Sequence, residues 1–145
     1  MPSSRIRKGT SARVAGSLKS DICMQRSPAT KTILLVDDQD DTRITTKLFL
    51  SSFGYVVDSV RSAEEALSLF NPSIHDVVVS DNSMPGMTGV EMARAIKLRA
   101  PLTPVIMFTG LAPKDQSNLD LVIEKPTHLL VLKEAVAKIL MQSAS

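Results

Sequence analysis

Ile33-Leu34-Leu35-Val36-Asp37-Asp38 is an apolar run that stops on two carboxylates, and the same construction recurs three times along the chain. Val77-Val78-Val79-Ser80 runs into Asp81, Val105-Ile106-Met107-Phe108 into Thr109, and Leu121-Val122-Ile123-Glu124 into Lys125. Short apolar runs rich in β-branched residues read as strands buried on both faces, which is the habit of parallel sheets. Parallel strands bring their carboxyl ends to one edge, and open α/β sheets place their sites there. Three carboxylates, a hydroxyl and an ammonium would then converge, although Asp37 and Lys125 stand 88 positions apart.

The segments between the runs supply the helices such a sheet needs. After Asp38, Asp40 or Asp41 can cap a helix to about Ser52, with Ile44, Leu48 and Phe49 on one face. Gly54 suits the turn that follows, and Tyr55–Val60 makes a second strand. Ser62-Ala63-Glu64-Glu65 reads as a capping box opening a helix to Phe70, which Pro72 ends. Asp76–Ser80 is the third strand. Thr88-Gly89-Val90-Glu91 is a second capping box, and its helix stops before Pro101.

Pro104–Phe108 and Leu119–Glu124 are the fourth and fifth strands, and a last helix runs from Thr127 to about Met141 with Leu129, Leu132, Val136, Ile139 and Leu140 inward. Strand–helix alternation at this spacing predicts right-handed crossovers and a doubly wound parallel α/β sheet. One connection is short. Leu111–Asn118, interrupted by Pro113, has room for one or two helical turns at most, so the fourth helix is expected to be shortened.

Composition bounds the function. At 145 residues the chain holds one domain and a tail. Aromatic residues make up 3% with no Trp, which argues against stacking platforms for single-stranded nucleic acid. One cysteine excludes an internal disulfide and suits a reducing cytoplasm. No apolar run approaches the roughly 18 residues of a membrane span.

The net charge of +2 is unevenly spread. Residues 1–30 carry six Lys/Arg against Asp21 alone, a net +5, and leave −3 for residues 31–145. Ser, Thr and Gly fill the rest of this basic segment, which reads as a disordered, non-essential leader. Other readings are a nucleic-acid or membrane arm, an organellar transit peptide, and a reading frame that starts naturally at Met24.

The convergent side chains are suited to phosphoryl chemistry. Clustered carboxylates repel unless a cation joins them, and oxygen ligands are what Mg²⁺ prefers. A carboxylate can also attack phosphorus to give an aspartyl phosphate. A metal ion and a fixed ammonium, here Lys125, would offset the charge of the transferring group, and Thr109 could donate a hydrogen bond to it. Each motif alone has an ordinary explanation as a cap, a turn or a solvated loop. Their joint placement at the ends of the first, third, fourth and fifth strands does not.

In order and spacing, Leu34-Leu35-Val36-Asp37-Asp38, Ser80-Asp81 with Met84-Pro85-Gly86-Met87-Thr88-Gly89, Phe108-Thr109-Gly110 and Lys125-Pro126 resemble the receiver domain of two-component response regulators. The resemblance covers residues 31–142, leaving 1–30 as leader and 143–145 as tail. It implies a flavodoxin-like five-stranded sheet in the order 2-1-3-4-5. It implies that Asp81 accepts a phosphoryl group from a histidine kinase or histidine phosphotransfer protein. It also implies that Mg²⁺ is held by Asp38 directly, by Asp37 largely through water, by Asp81 and by the backbone carbonyl of Ser83. Lys125 would pair with Asp81 and then with the phosphate, Thr109 would swing toward it, and Pro126 would follow a cis peptide bond.

Two departures concern signalling rather than capture. The family usually has an aromatic residue three positions before the motif lysine, where this chain has Val122, and the fourth helix is curtailed. Leu130 and Val131 add apolar surface to the last helix, as core packing, as simply exposed side chains, or as a partner or dimer face. The expectation is a cytoplasmic, stand-alone receiver that switches contacts with a downstream protein and neither binds DNA directly nor acts as an enzyme on outside substrates. Homodimerisation on activation stays open. The alternatives are a receiver-fold scaffold that signals without phosphate and a Mg²⁺-dependent phosphatase with an aspartyl nucleophile. The latter usually carries Asp-x-Asp and a cap, and this chain has adjacent aspartates and no cap-sized insertion.

Overall fold

In the computed structural model the described residues are 30–125 and 128–144, with the side chains of 143 and 144 excepted. The basic leader and the Lys125–Pro126 peptide bond lie outside them, as does the tail residue Ser145. Five strands, β1 (Thr32–Val36), β2 (Val56–Val60), β3 (Val77–Ser80), β4 (Val105–Thr109) and β5 (Leu121–Glu124), form one sheet. All pairs are parallel and the order is 2-1-3-4-5, as expected. Helices α1 (Asp40–Ser51), α2 (Ala63–Leu69), α3 (Gly89–Arg99) and α4 (Leu129–Ala144) complete the fold. None of these helices is long and apolar enough to cross a membrane.

Alternation along the central strands divides the core into two layers. Ile33, Leu35, Val77, Val79, Ile106 and Phe108 meet Leu50 of α1 and Leu132, Val136 and Leu140 of α4. Leu34, Val36, Val78 and Val105 meet Ala63 and Ala66 of α2 and Met92 and Ile96 of α3. Every residue of β1, β3 and β4 is buried, whereas edge strands β2 and β5 are partly open at Val56 and Leu121. Burial of a full aliphatic side chain is worth about 1.5–3 kcal/mol, so the three central strands carry most of the cohesion.

Helix starts follow the sequence closely in α3, where Thr88 and Glu91 close a reciprocal capping box. In α2 the Ser62 hydroxyl accepts the Glu65 N–H, while Glu65 itself accepts from Arg61 N–H, one residue earlier than a closed box requires. Two expectations for α1 fail. Neither Asp40 nor Asp41 is the N-cap; Gln39 holds that place without a side-chain bond, and both aspartates sit in the first turn, near the positive end of the helix dipole. The buried face is Arg43, Thr46 and Leu50; of the expected Ile44, Leu48 and Phe49 only Phe49 packs against the core, and the other two are exposed. Arg43 takes the inner place because its guanidinium can donate to the buried Asp37 carbonyl at 3.1 Å while its stem packs.

The shortening of the fourth crossover goes further than a short helix: residues 110–120 contain no helix, only a turn closed by the Leu119 N–H on the Gln116 carbonyl at 3.1 Å. Pro113 removes a donor, and polar side chains stabilise turns instead. Asp115 accepts from the Ser117 N–H and hydroxyl, and Asp120 accepts from the Val105 N–H at 2.7 Å and from Lys97 Nζ at 2.8 Å. Ala112 N–H donates to Glu124.

Candidate functional site

Hydrogen bonding continues past the strand ends and sets the register of the edge. Asp37 N–H donates to the Val60 carbonyl, Asp81 N–H to the Val36 carbonyl, and Lys125 N–H to the Thr109 carbonyl at 2.7 Å. Asp37 therefore sits beside Asp81, and Thr109 beside Lys125. The carboxylates of Asp37, Asp38 and Asp81 each offer an oxygen within 4.8 Å of the others. Asp37 and Asp81 are buried and Asp38 is half-buried.

Lys125 spans this acidic cluster. Its Nζ lies 3.2 Å from Asp37 Oδ2 and 3.9 Å from Asp81 Oδ2. One ammonium against three carboxylates leaves a deficit of positive charge in a poorly hydrated cleft. Burial pushes the Asp37 carboxyl above the usual carboxylate range. The Gln39 N–H donating to Asp37 Oδ1 at 2.9 Å and the nearby Lys125 oppose this rise, and the Asp81 charge adds to it.

Two buried oxygens have no hydrogen-bond partner among the described residues: Asp38 Oδ1 and Thr109 Oγ1. Buried polar atoms are nearly always satisfied, and leaving one unpaired costs about 1–3 kcal/mol. Asp38 Oδ1 beside two further carboxylates suits a hard divalent cation, so the donor set fits Mg²⁺. Thr109 Oγ1, at the end of the neighbouring strand, has a hydroxyl to give.

The loop after Asp81 is anchored from several directions. Ser83 is exposed, and its N–H reaches back to Asp81 Oδ1 at 3.3 Å. Asn82 accepts from Val90 N–H through its side chain and from Gly89 N–H through its carbonyl. Gly86 takes φ +77°, a conformation glycine adopts without strain, and Glu64 of α2 accepts the Met87 N–H at 3.1 Å. Gly89 faces the Asp81 carbonyl so closely that a Cβ there would stand 2.4 Å from that oxygen.

The structure thus brings together Asp37, Asp38, Asp81, Thr109 and Lys125 and places Ser83 at their rim. Sequence reasoning missed Arg43, Gln39, Glu64 and the closeness at Gly89. It noted Phe108 only as part of a motif, yet the ring lies under Lys125, with its centroid 5.0 Å from Nζ. Position alone carried that signal, since residues preceding Thr109 and following Glu124 end adjacent strands. A cleft of about 390 Å³ opens beside them, lined by Asp41, Thr42, Thr45, Thr46, Phe108, Lys125 and Leu129.

Comparison with known proteins agrees with this arrangement. The family described as the response regulator receiver domain matches residues 33–143. The chemotaxis protein CheY of Pseudomonas aeruginosa is 33% identical over 116 residues, covering 74% of this chain and 94% of that protein. The aerobic respiration control sensor protein ArcB of Escherichia coli K12 is 30% identical over 114 residues, 73% of this chain but 15% of ArcB. The autoinducer 1 sensor kinase/phosphatase LuxN of Vibrio harveyi is likewise matched over 13% of its length, so the chain spans a small part of these sensor proteins.

Among solved structures, the response regulator protein TrrA of Thermotoga maritima, determined in complex with Mg²⁺-BeF, superposes with a TM-score of 0.71 at 32% identity. The match covers 75% of this chain and 98% of that one. A CheY-like receiver domain protein of Methanospirillum hungatei gives a TM-score of 0.75 at 28% identity, covering 80% and 98%. With the family matched over residues 33–143, most of the chain, and CheY 33% identical over 74% of it, this chain belongs to the response regulator receiver domains of two-component systems.

Proposed function

We propose that Asp81 is a phosphoacceptor and that its phosphorylation switches the contacts of the domain with other proteins. In the transfer, a carboxylate oxygen of Asp81 bonds to phosphorus as the P–N bond of a phosphohistidine breaks. The released imidazole nitrogen takes up a proton. The donor would be a histidine kinase or a histidine phosphotransfer protein. The observation that carries the reading is a pair of unpartnered buried oxygens at the strand ends, Asp38 Oδ1 within the acidic cluster that Lys125 contacts and Thr109 Oγ1 on the strand hydrogen-bonded to Lys125.

Asp37, Asp38, Asp81 and the backbone carbonyl of Ser83 would hold Mg²⁺, which when bound supplies charge compensation for the phosphoryl oxygens. Lys125 holds its ammonium between Asp37 and Asp81 and is placed to take up a phosphoryl oxygen as it arrives. Thr109 keeps a hydroxyl ready for another. Such a domain turns over its own phosphoryl group and acts as a signalling module, not as an enzyme on outside substrates. Incubation with phosphoramidate and Mg²⁺ should add one phosphoryl group to native protein and none to Asp81→Asn. Undiminished labelling of that variant would remove Asp81 from the role.

A second reading, a scaffold whose partner contacts ignore phosphate, draws on the helix-free fourth crossover and on Val122. Equal partner affinity with and without beryllofluoride would favour it, and a change in affinity would exclude it.

A further inference from the structure

We propose that Phe108 is a positioning residue for Lys125, its ring holding the ammonium in the strip between Asp37 and Asp81. This rests on the phosphoacceptor reading above and adds to it the residue that aims the lysine. Lysine carries a flexible stem with about 2 kcal/mol of rotamer entropy, so an ammonium that must serve two carboxylates needs something to confine it. The carboxylates of Asp37 and Asp81 lie 3.2 and 3.9 Å from it. The Phe108 ring stands 5.0 Å from Nζ, within the roughly 6 Å over which a ring quadrupole attracts a cation.

The ring is itself immobilised. Phe108 is 5% exposed and packs in the layer of Leu132 and Val136. Register fixes it relative to the lysine, because Phe108 pairs with Ile123 and Thr109 with Glu124, and Lys125 N–H donates to the Thr109 carbonyl. One strand therefore presents two consecutive residues to the reaction. Thr109 offers a hydroxyl, and Phe108, pointing to the opposite face, backs the ammonium. The cleft lined by Thr42, Thr45 and Thr46 gives the lysine a route away from the carboxylates if the ring is lost.

The test combines two readouts. Ring current should move the Lys125 ε-methylene proton resonances upfield in native protein free of metal, a measurement that needs no phosphorylation. Phe108→Leu should return them toward the values of an unstructured lysine and slow phosphoramidate labelling at Asp81 about five-fold, the equivalent of about 1 kcal/mol. Phe108→Tyr should restore both. Lys125 resonances without an upfield shift in native protein would overturn the proposal whether or not the leucine variant folds. Equal labelling rates in native protein and a folded Phe108→Leu variant would overturn it while leaving Asp81 as acceptor. If the upfield shift is present but native protein takes no label, the phosphoacceptor reading fails and this proposal fails with it.

Discussion

Alanine at position 89 would place a methyl group 2.4 Å from the Asp81 carbonyl oxygen, 3.0 Å from Asn82 Cα and 3.0 Å from Met107 Cε. The methionine end can swing aside, but the other two atoms are backbone. Relieving the closest contact requires the backbone at Asp81 and the start of α3 to part by more than half an ångström. That motion strains the Gly89 N–H bond to the Asn82 carbonyl, 3.2 Å, and the Val90 N–H bond to the Asn82 side chain, 3.0 Å. Overpacking of this kind costs about 1–3 kcal/mol. Alanine recovers less than about 1 kcal/mol of helix propensity, so strain wins and the net loss is about 1–2 kcal/mol. For a domain of this size that lowers Tm by about 4–8 °C.

The functional loss should be larger than the stability loss. Displacement of a reacting group by about 1 Å can cost on the order of 10²-fold in rate. Phosphoramidate labelling of Gly89→Ala should therefore fall at least ten-fold at a temperature where the variant is fully folded. Gly110→Ala serves as the comparison, because a Cβ there meets nothing within 4 Å, and it should change stability by less than about 0.5 kcal/mol. A Gly89→Ala variant with native Tm and native labelling would show that the close approach between α3 and Asp81 does not hold the acceptor in place.

Other consequences can be measured directly. Lys125→Ala should leave Mg²⁺ binding measurable while slowing labelling, because it removes the ammonium beside Asp37 and Asp81; unaltered labelling kinetics would count against its role. Asp37→Asn should raise the Tm of metal-free protein at neutral pH. Burial raises the Asp37 carboxyl above 3.8, so the folded state binds that proton more tightly, and stability falls as pH climbs from 3.8 through the folded value. The gain from asparagine should thus vanish near pH 3, and a gain that grew with acid would contradict the sign. Arg43→Met keeps the stem but leaves the buried Asp37 carbonyl without its donor, and should cost about 1–3 kcal/mol in urea denaturation. Thr88→Ala opens the α3 capping box, for a loss of about 1 kcal/mol by the same assay.

The strands and their order were legible because a two-side-buried parallel strand has an unmistakable composition, and Val77-Val78-Val79 can hardly be anything else. The acidic cluster, Thr109 and Lys125 were legible for a related reason, since each terminates such a run. Features that depend on approach across space were not. Nothing in the chain signals that Arg43 turns inward, because the apolar stripe of Ile44 and Leu48 outweighs it by hydropathy, and the exchange is explained by its bonds to the Asp37 carbonyl and to Asp40 Oδ1. Glu64 looked like part of a cap, and its bond to Met87 N–H joins segments 23 residues apart. The shortness of the fourth crossover was legible, but whether it kept a helix depended on competing bonds at Asp115 and Asp120.

That helix-free crossover bears on how the chain reaches its fold. Eleven residues separate Thr109 from Leu121, against twenty-four between Ser80 and Val105. Closing the shorter connection saves about 0.7 kcal/mol of chain entropy, and no helix has to form and dock before β4 and β5 can pair. The Asp120 bridge to Val105 and Lys97 then locks the pair from its starting end. β4 and β5 accordingly form a pair with unusually local contacts for a parallel sheet, a property that speeds folding. The same loop is an inexpensive place to lengthen the protein, because each doubling of its length costs only about 0.6 kcal/mol.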